Sequence, residues 1–210
     1  MPIEEIKQDL LLDFWFGECS DERPMDRNSP RMRSWFSENP QTVRSLRENF
    51  EQDLAQAKAG AFTDWQSTVR GRLALIVLWD QVSRRLYKGT PRAFEADEMA
   101  LSLCLRSLNE HADETLLLFE RLFFYMPLAH SESFEIQQKS LQAFRRLAEA
   151  GRRKSPANSD YFFDALDRAL KKYAQIESFG RFPARNRILG RLSTSEELEF
   201  LKTSKGDDKS

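Results

Sequence analysis

Apolar residues recur at spacings of three and four along almost the whole chain, and strict alternation is scarce. That spacing gathers them on one face of an α-helix, so the sequence predicts an all-α protein. Ile3, Ile6, Leu10 and Phe14 mark a first helix near 3–16, ended by Gly17. A loop through about residue 38 follows, holding Pro24, Pro30 and the pair Trp35-Phe36. Asn39 reads as an N-cap with Pro40 at the first helical position. Val43, Leu46, Phe50, Leu54 and Ala57 form that helix's stripe, and Gly60 closes it. The next helix spans 64–87, and its centre, Leu73 to Trp79, is apolar all round. A helix of that kind is buried on most sides.

Thr90-Pro91 restarts the chain, and Met99, Leu103, Leu105 and Leu108 give a helix near 94–109. Asp113 is the expected cap of a helix over 114–125, with Pro127 ending it at a turn formed by Met126–His130. Ser133 opens a helix to about 150, with Gly151 as its terminator and 151–159 as the most linker-like stretch. A helix near 160–178 follows, and the capping-box pattern Ser193-Thr-Ser-Glu196 begins a short last one. The sum is about eight or nine antiparallel helices, arranged as a bundle or a degenerate helical solenoid. They form a single domain over 1–203, with 204–210 a polar, disordered tail.

Composition narrows the function. A chain of 210 residues with 40% hydrophobic and 31% charged content suits a soluble globular protein. The formal net charge of −1 argues against nucleic acid as a general partner. The longest apolar run, Leu73 to Trp79, is far short of the roughly 20 residues that span a bilayer. The first residues lack the basic and apolar regions of a secretory signal, so neither a membrane nor export is expected, and the reading is cytoplasmic. Cys19 and Cys104 stand far apart, which disfavours a disulfide framework or a thiolate zinc site. Glycine-rich phosphate loops, G-x-S-x-G and H-E-x-x-H are absent, and no cofactor or metal is expected.

Three constellations could carry chemistry. The first is Phe179 to Arg191, where four arginines share a short stretch with Gly180, Pro183 and Gly190. Glycine and proline make this a shaped turn, and guanidinium forks held on a turn suit carboxylate or phosphate. Arg181 and Arg185 are the better ligand candidates, while pairing with acids of neighbouring helices is the structural alternative. Next, Asp80 and Arg84 are i, i+4 partners just past the buried run, with Gln81 beside them. They form either an internal salt bridge or one that also meets a ligand. Finally, Tyr125-Met-Pro-Leu-Ala-His130-Ser131-Glu132 puts one of only two histidines beside a hydroxyl and a carboxylate. Imidazole is the usual proton shuttle near neutral pH. His111, in a polar connection, reads as a surface residue. Phe14, Trp15, Phe16, Trp35, Phe36 and Trp65 read as core rather than as a stacking platform.

Leu11–Gly17, Gly71–Gln81 with Arg84, Leu86–Phe94, Phe124–Glu132, Phe179–Asn186 and Leu189–Glu197 occur in one order along nearly the whole chain. Together these segments resemble a bacterial family of unknown function, domain-of-unknown-function family nine-twenty-four. The resemblance implies one all-helical domain similar to the tetratricopeptide-repeat superfamily, and it implies no reaction. Its motif positions fall on Asp80, Gln81, Arg84, Tyr125, His130, Glu132, Arg181, Arg185 and Asn186. This chain departs from the pattern where relatives read Asp-Gln-Phe-Pro-Arg-Asn, since Val82, Ser83 and Arg85 stand there instead. Tyr173 and Ala184 occupy positions where relatives carry histidine, which weakens a metal or proton-transfer role.

Two readings follow. In the first, Arg84, Arg181 and Arg185 grip a small anionic metabolite or acidic peptide terminus, and Gln81, Tyr125, His130, Glu132 and Asn186 read its polar remainder. In the second, a metal-independent hydrolase or lyase uses His130 as general acid/base, oriented by Glu132 or Asp80. Whether a reaction occurs, and in what oligomeric state, is left open by the sequence.

Overall fold

The computed structural model describes residues 3–37 and 39–203, with backbone alone for 3–6, and the tail at 204–210 lies outside the described residues. Among the described residues there is no strand. The first helix, α1 (Ile3–Trp15), ends as expected. The loop predicted next contains a short helix, α2 (Pro30–Phe36). Ser29 accepts a hydrogen bond from the Met32 amide and Pro30 fills the first turn, so Ser-Pro is a helix start here rather than a bend. In α3 (Pro40–Lys58) Asn39 accepts from the Gln41 amide at 2.9 Å, and Leu46, Phe50, Leu54 and Ala57 are buried.

The apolar run is the hub. A 3-10 turn (Thr63–Ser67) precedes α4 (Val69–Ile76), which starts later than predicted because Thr68 caps it through the Gly71 amide at 3.0 Å. The helix then passes through a π turn (Val77–Val82) into α5 (Ser83–Leu86). Every residue from Leu73 to Leu78 is fully buried, with α1, α3, α6 and α7 around this segment. Burying a leucine-sized side chain stabilises by about 1.5–3 kcal/mol, so this stretch dominates the core.

A 3-10 turn (Pro91–Phe94) leads to α6 (Asp97–Asn109), and another (Ala112–Thr115) to α7 (Leu118–Phe124). Asp113 does not cap that helix. Glu120 accepts from the Leu117 amide at 2.9 Å and Asp21 from the Leu118 amide at 2.8 Å, and these carboxylates hold its start. Pro127 does not end helical structure either. It lies in the first turn of α8 (Met126–His130), where its missing N–H costs nothing.

The long helices α9 (Phe134–Lys154) and α10 (Ser159–Phe179) pack antiparallel, Phe134 meeting Tyr173 at one end and Gly151 meeting Phe162 at the other. Gly151 lies inside α9 instead of ending it. A Cβ there would stand 2.3 Å from the Phe162 ring, so the glycine serves close helix contact. The linker expected over 151–159 is ordered, with Ser155 and Asn158 buried. Gly180 terminates α10 in the left-handed region at φ +68°, as its place in the arginine segment suggested. A 3-10 turn (Pro183–Arg185) and α11 (Ser195–Thr203) complete the chain. The capping box of α11 is one residue further on than predicted: Thr194 and Glu197 bond each other's amides at 3.2 and 2.7 Å. The aromatic residues are core as expected, with Trp35 edge-on to Phe123 at 4.9 Å, although Phe36 is partly exposed. His111 is exposed beside Glu114.

Candidate functional site

Asp80 sits on the π turn, where the Ser83 amide bonds the Leu78 carbonyl five residues back. Such turns are rare and concentrate at functional positions. Its carboxylate is completely buried. Oδ1 accepts from His130 Nδ1 at 2.7 Å and from Arg84 Nε at 3.3 Å, and Oδ2 accepts from the Gln81 amide. Burial would raise this carboxyl, but the positive charge of Arg84 and the hydrogen bonds from His130 and Gln81 hold it far below the carboxylate range. Because an ionised carboxylate can only accept, Nδ1 of His130 is the donor, and Nε2 keeps the ring's lone pair.

His130 ends α8 and is 11% exposed at its side chain. Burial and the positive charge of Arg84 push its pKa down to about 3, only partly offset by Asp80, so the ring is neutral at physiological pH. Arg84 also donates through Nη2 to both oxygens of Asp97, at 2.9 and 2.8 Å. Asp97, in the first turn of α6, is raised to about 6 by burial against the pull of Arg84.

Arg185 closes the cluster from the C-terminal segment. Its Nη2 donates to the His130 carbonyl at 2.9 Å, and its guanidinium carbon lies 4.9 Å from the Phe94 ring centre and 4.6 Å from that of Phe182. Asp97 is the only carboxylate paired with it among the described residues, at 3.9 Å, although the Arg185 side chain is only 14% exposed. Burial, then the neighbouring Arg84, pushes its pKa down to about 10.

A second knot holds the segment that carries Arg185. Glu132 accepts from the Phe182 amide at 2.9 Å and from both terminal nitrogens of Arg191, at 2.6 and 2.9 Å. Arg181 forks onto Glu197 at 2.6 and 2.9 Å. Asn186, buried, donates to Glu197 and Ser193 at 3.1 Å each and accepts from Arg191 at 3.0 Å.

The nominated residues therefore divide. Asp80, Gln81, Arg84, His130 and Arg185 meet in one cluster, while Glu132, Arg181 and Asn186 fasten the arginine segment beside it. Tyr125 belongs to neither: its buried hydroxyl donates to Asp113. Glu132 does not orient His130, whose partner is Asp80. Asp97, Glu197, Arg191 and the ring pair Phe94 and Phe182 were not nominated. Glu197 carried a signal, a capping glutamate close to arginines lacking acids; Asp97, an ordinary first-turn acid, carried none.

The cluster is a packed junction whose outer edge reaches solvent, not a deep hollow. Two shallow depressions of the described surface, of about 410 and 50 Å³, lie elsewhere, along Leu101, Leu105 and Arg106 and around Gln66 and Glu110. Among the described residues no group of three or more His, Cys, Asp or Glu is placed to hold a metal ion. No helix of the described residues is long and apolar enough to cross a membrane.

The model of a bacterial family of proteins of unknown function, DUF924, matches residues 11–205. The chain belongs to the DUF924 family. The described cluster thus lies within the DUF924 match from end to end. Among solved structures, a protein of unknown function, ATU0120, from Agrobacterium tumefaciens has a similar fold. The TM-score is 0.76 at 24% identity, with 95% of this chain and 98% of that one covered. At that identity the likeness carries the all-helical fold of this DUF924 protein and nothing about its activity. Among curated proteins nothing matches the chain.

Proposed function

We propose that this DUF924 protein binds a small anionic ligand, a carboxylate or phosphate, at the outer edge of the cluster, with Arg185 as its principal contact. The observation that carries this reading is a contrast among arginines. Arg84, Arg181 and Arg191 each hold a carboxylate within 2.9 Å. Arg185, the least exposed of the four at its side chain, has one only at 3.9 Å and keeps most of its five donors uncommitted to acids. A buried cation with so distant a partner is the group that gains most from an incoming anion. Phe94 and Phe182 hold its planar fork in place, so little side-chain freedom is lost on binding. Neutral His130 offers Nε2 to a hydroxyl or amide of the ligand, and Arg84 adds positive potential behind it. Glu132, Arg181 and Asn186 act through the segment they fasten.

A second reading rests on the 2.7 Å Asp80–His130 hydrogen bond. A carboxylate that fixes the Nδ1 proton orients Nε2 as a general base, the arrangement a metal-independent hydrolase or lyase would need. A base whose pKa is as low as about 3 is weak, which favours binding over turnover until a bound anion raises it.

The test is thermal unfolding in the presence of inorganic phosphate and a panel of small mono-, di- and tricarboxylates, on the wild type and on Arg185→Gln. Glutamine keeps a donor for the His130 carbonyl and removes the charge. An anion at about 100 times its Kd stabilises by roughly 2.7 kcal/mol. The expected result is a shift for one class of anion that Arg185→Gln abolishes. An equal shift in the variant, or none with any anion, sinks the reading. Loss of a detected product in His130→Ala, with anion binding retained, would move the conclusion to the enzyme.

A further inference from the structure

The solvent face of α9 carries a second positive feature, built from residues that the cluster does not use. Arg145, Arg146, Arg152 and Arg153 are all exposed. They form two rows, 145 with 152 and 146 with 153, each pair two helical turns apart, about 10.5 Å along the axis. The opposite face, with Leu141, Phe144, Leu147, Ala148 and Gly151, is buried in the core. Elsewhere in the described structure arginines are engaged by acids, carbonyls or rings: Arg70 with Glu120, Arg72 with Glu110 and Arg106 with Gln66 are examples. The four on α9 have no such hydrogen bond, ion pair or ring among the described residues, and only Arg44 and Arg187 of the remaining arginines share that state. The concentration is not a matter of composition, since the whole chain has a formal net charge of −1.

Glu149 stands between the rows, three or four residues from each arginine, and Lys154 ends the helix. The face therefore presents positive, negative, positive bands along its axis: Arg145-Arg146, Glu149, Arg152-Arg153. We infer that this face docks an acidic helix of a partner protein, one bearing pairs of Asp or Glu two turns apart with a basic or neutral residue between them. Any α-helix with acids at i and i+7 repeats the 10.5 Å or so that separates the arginine rows. Guanidinium forks match carboxylates two bonds at a time. The central Glu149 penalises a uniformly acidic partner, so the band order itself confers choice. An extended nucleic-acid strand fits less well. It carries unbroken negative charge past Glu149, and the chain as a whole has a formal net charge of −1.

The test is fluorescence anisotropy with the full chain at low salt and three labelled probes. One is an alanine-based helical peptide with Glu pairs two turns apart and a Lys midway. The second has the same composition with its acids spread around the helix, and the third is an oligonucleotide, single- and double-stranded. The banded peptide should bind about tenfold more tightly than the scrambled one, the scale expected of several exposed pairs acting together. Arg145→Gln with Arg146→Gln, Arg152→Gln and Arg153→Gln should lose that preference with the circular dichroism of the wild type unchanged. Should the fourfold variant lose helix, Arg152→Gln with Arg153→Gln reads the same dependence. Glu149→Lys should weaken the banded peptide and strengthen its variant with Glu in place of the central Lys. Equal binding of banded and scrambled peptides, undiminished binding by the variants, or tighter binding of the oligonucleotide would overturn the inference.

Discussion

Acid should move the stability of this protein in opposite directions once either His130 or Asp97 is replaced. His130 has a pKa of about 3 in the fold against 6.5 for a free imidazole. Between those values the unfolded chain holds a proton that the folded chain refuses. Stability therefore falls on acidification through that window, by about 1.4 kcal/mol per pH unit below 6.5. At about pH 5 the loss is roughly 2 kcal/mol. Asp97 is raised to about 6 from 3.8, so in the same window the folded chain accepts a proton that the unfolded chain does not. Its contribution has the other sign, a gain of about 1 kcal/mol by about pH 5. Asp80, Glu132 and Glu197, held low, lose their contributions only as pH falls through and below the ordinary carboxylate range.

In the wild type the two terms oppose, leaving a net loss below about 1 kcal/mol between about pH 7 and pH 5. His130→Asn keeps an amide donor for Asp80 and removes the titrating ring, so that variant should gain about 1 kcal/mol over the same interval. Asp97→Asn removes the offset and should lose about 2 kcal/mol. Urea unfolding followed by circular dichroism at the two pH values, at constant ionic strength, measures all three. A His130→Asn protein that weakens in acid as the wild type does would refute the assignment of a neutral, buried imidazole. An Asp97→Asn protein with the wild-type response would refute the raised carboxyl.

Gly151→Ala should destabilise by about 1–3 kcal/mol through the clash with Phe162, even though alanine is the better helix former by about 1 kcal/mol. Urea unfolding checks it, and a variant as stable as the wild type would mean that α9 and α10 separate easily. Glu197→Gln should speed amide exchange over residues 180–203, where Arg181, Asn186 and Thr194 lose their shared carboxylate, and leave α9 and α10 unchanged. Uniform acceleration across the chain would contradict that local role.

The helices were legible wherever apolar spacing was long and regular, and the buried run at Leu73–Leu78 announced the hub of the core. Errors came from reading punctuation residues in only one of their senses. Gly151 and Pro127 looked like stops, but one is a contact glycine and the other a first-turn proline. Ser29-Pro30 looked like loop and is a capped start. In the site, Asp80 and Arg84 were legible as i, i+4 partners because a helix brings them together. The His130 partnership bridges fifty positions and depends on how α8 packs, which no local pattern records. Asp97 was illegible for the same reason: its meaning comes from Arg84 and Arg185, which reach it from other elements.

The two knots are not independent parts. Arg185 reaches the cluster only because Glu132 holds the Phe182 amide three residues earlier, while Arg181 and Asn186 hold the segment on either side. The arginine segment is thus a strap fastened by its own acids, with one guanidinium turned inward beside His130. Division of labour among like residues follows from that geometry: arginines that fasten carry short carboxylate forks, and the one that does not fasten is left with a distant acid. An anion bound at Arg185 would add a tie between strap and cluster, so binding and strap closure must favour each other by linkage. The same acid that loosens Glu132 or Glu197 should then weaken anion binding without touching the contact residue. A Glu132→Gln protein that binds anions as tightly as the wild type would separate the strap from the site.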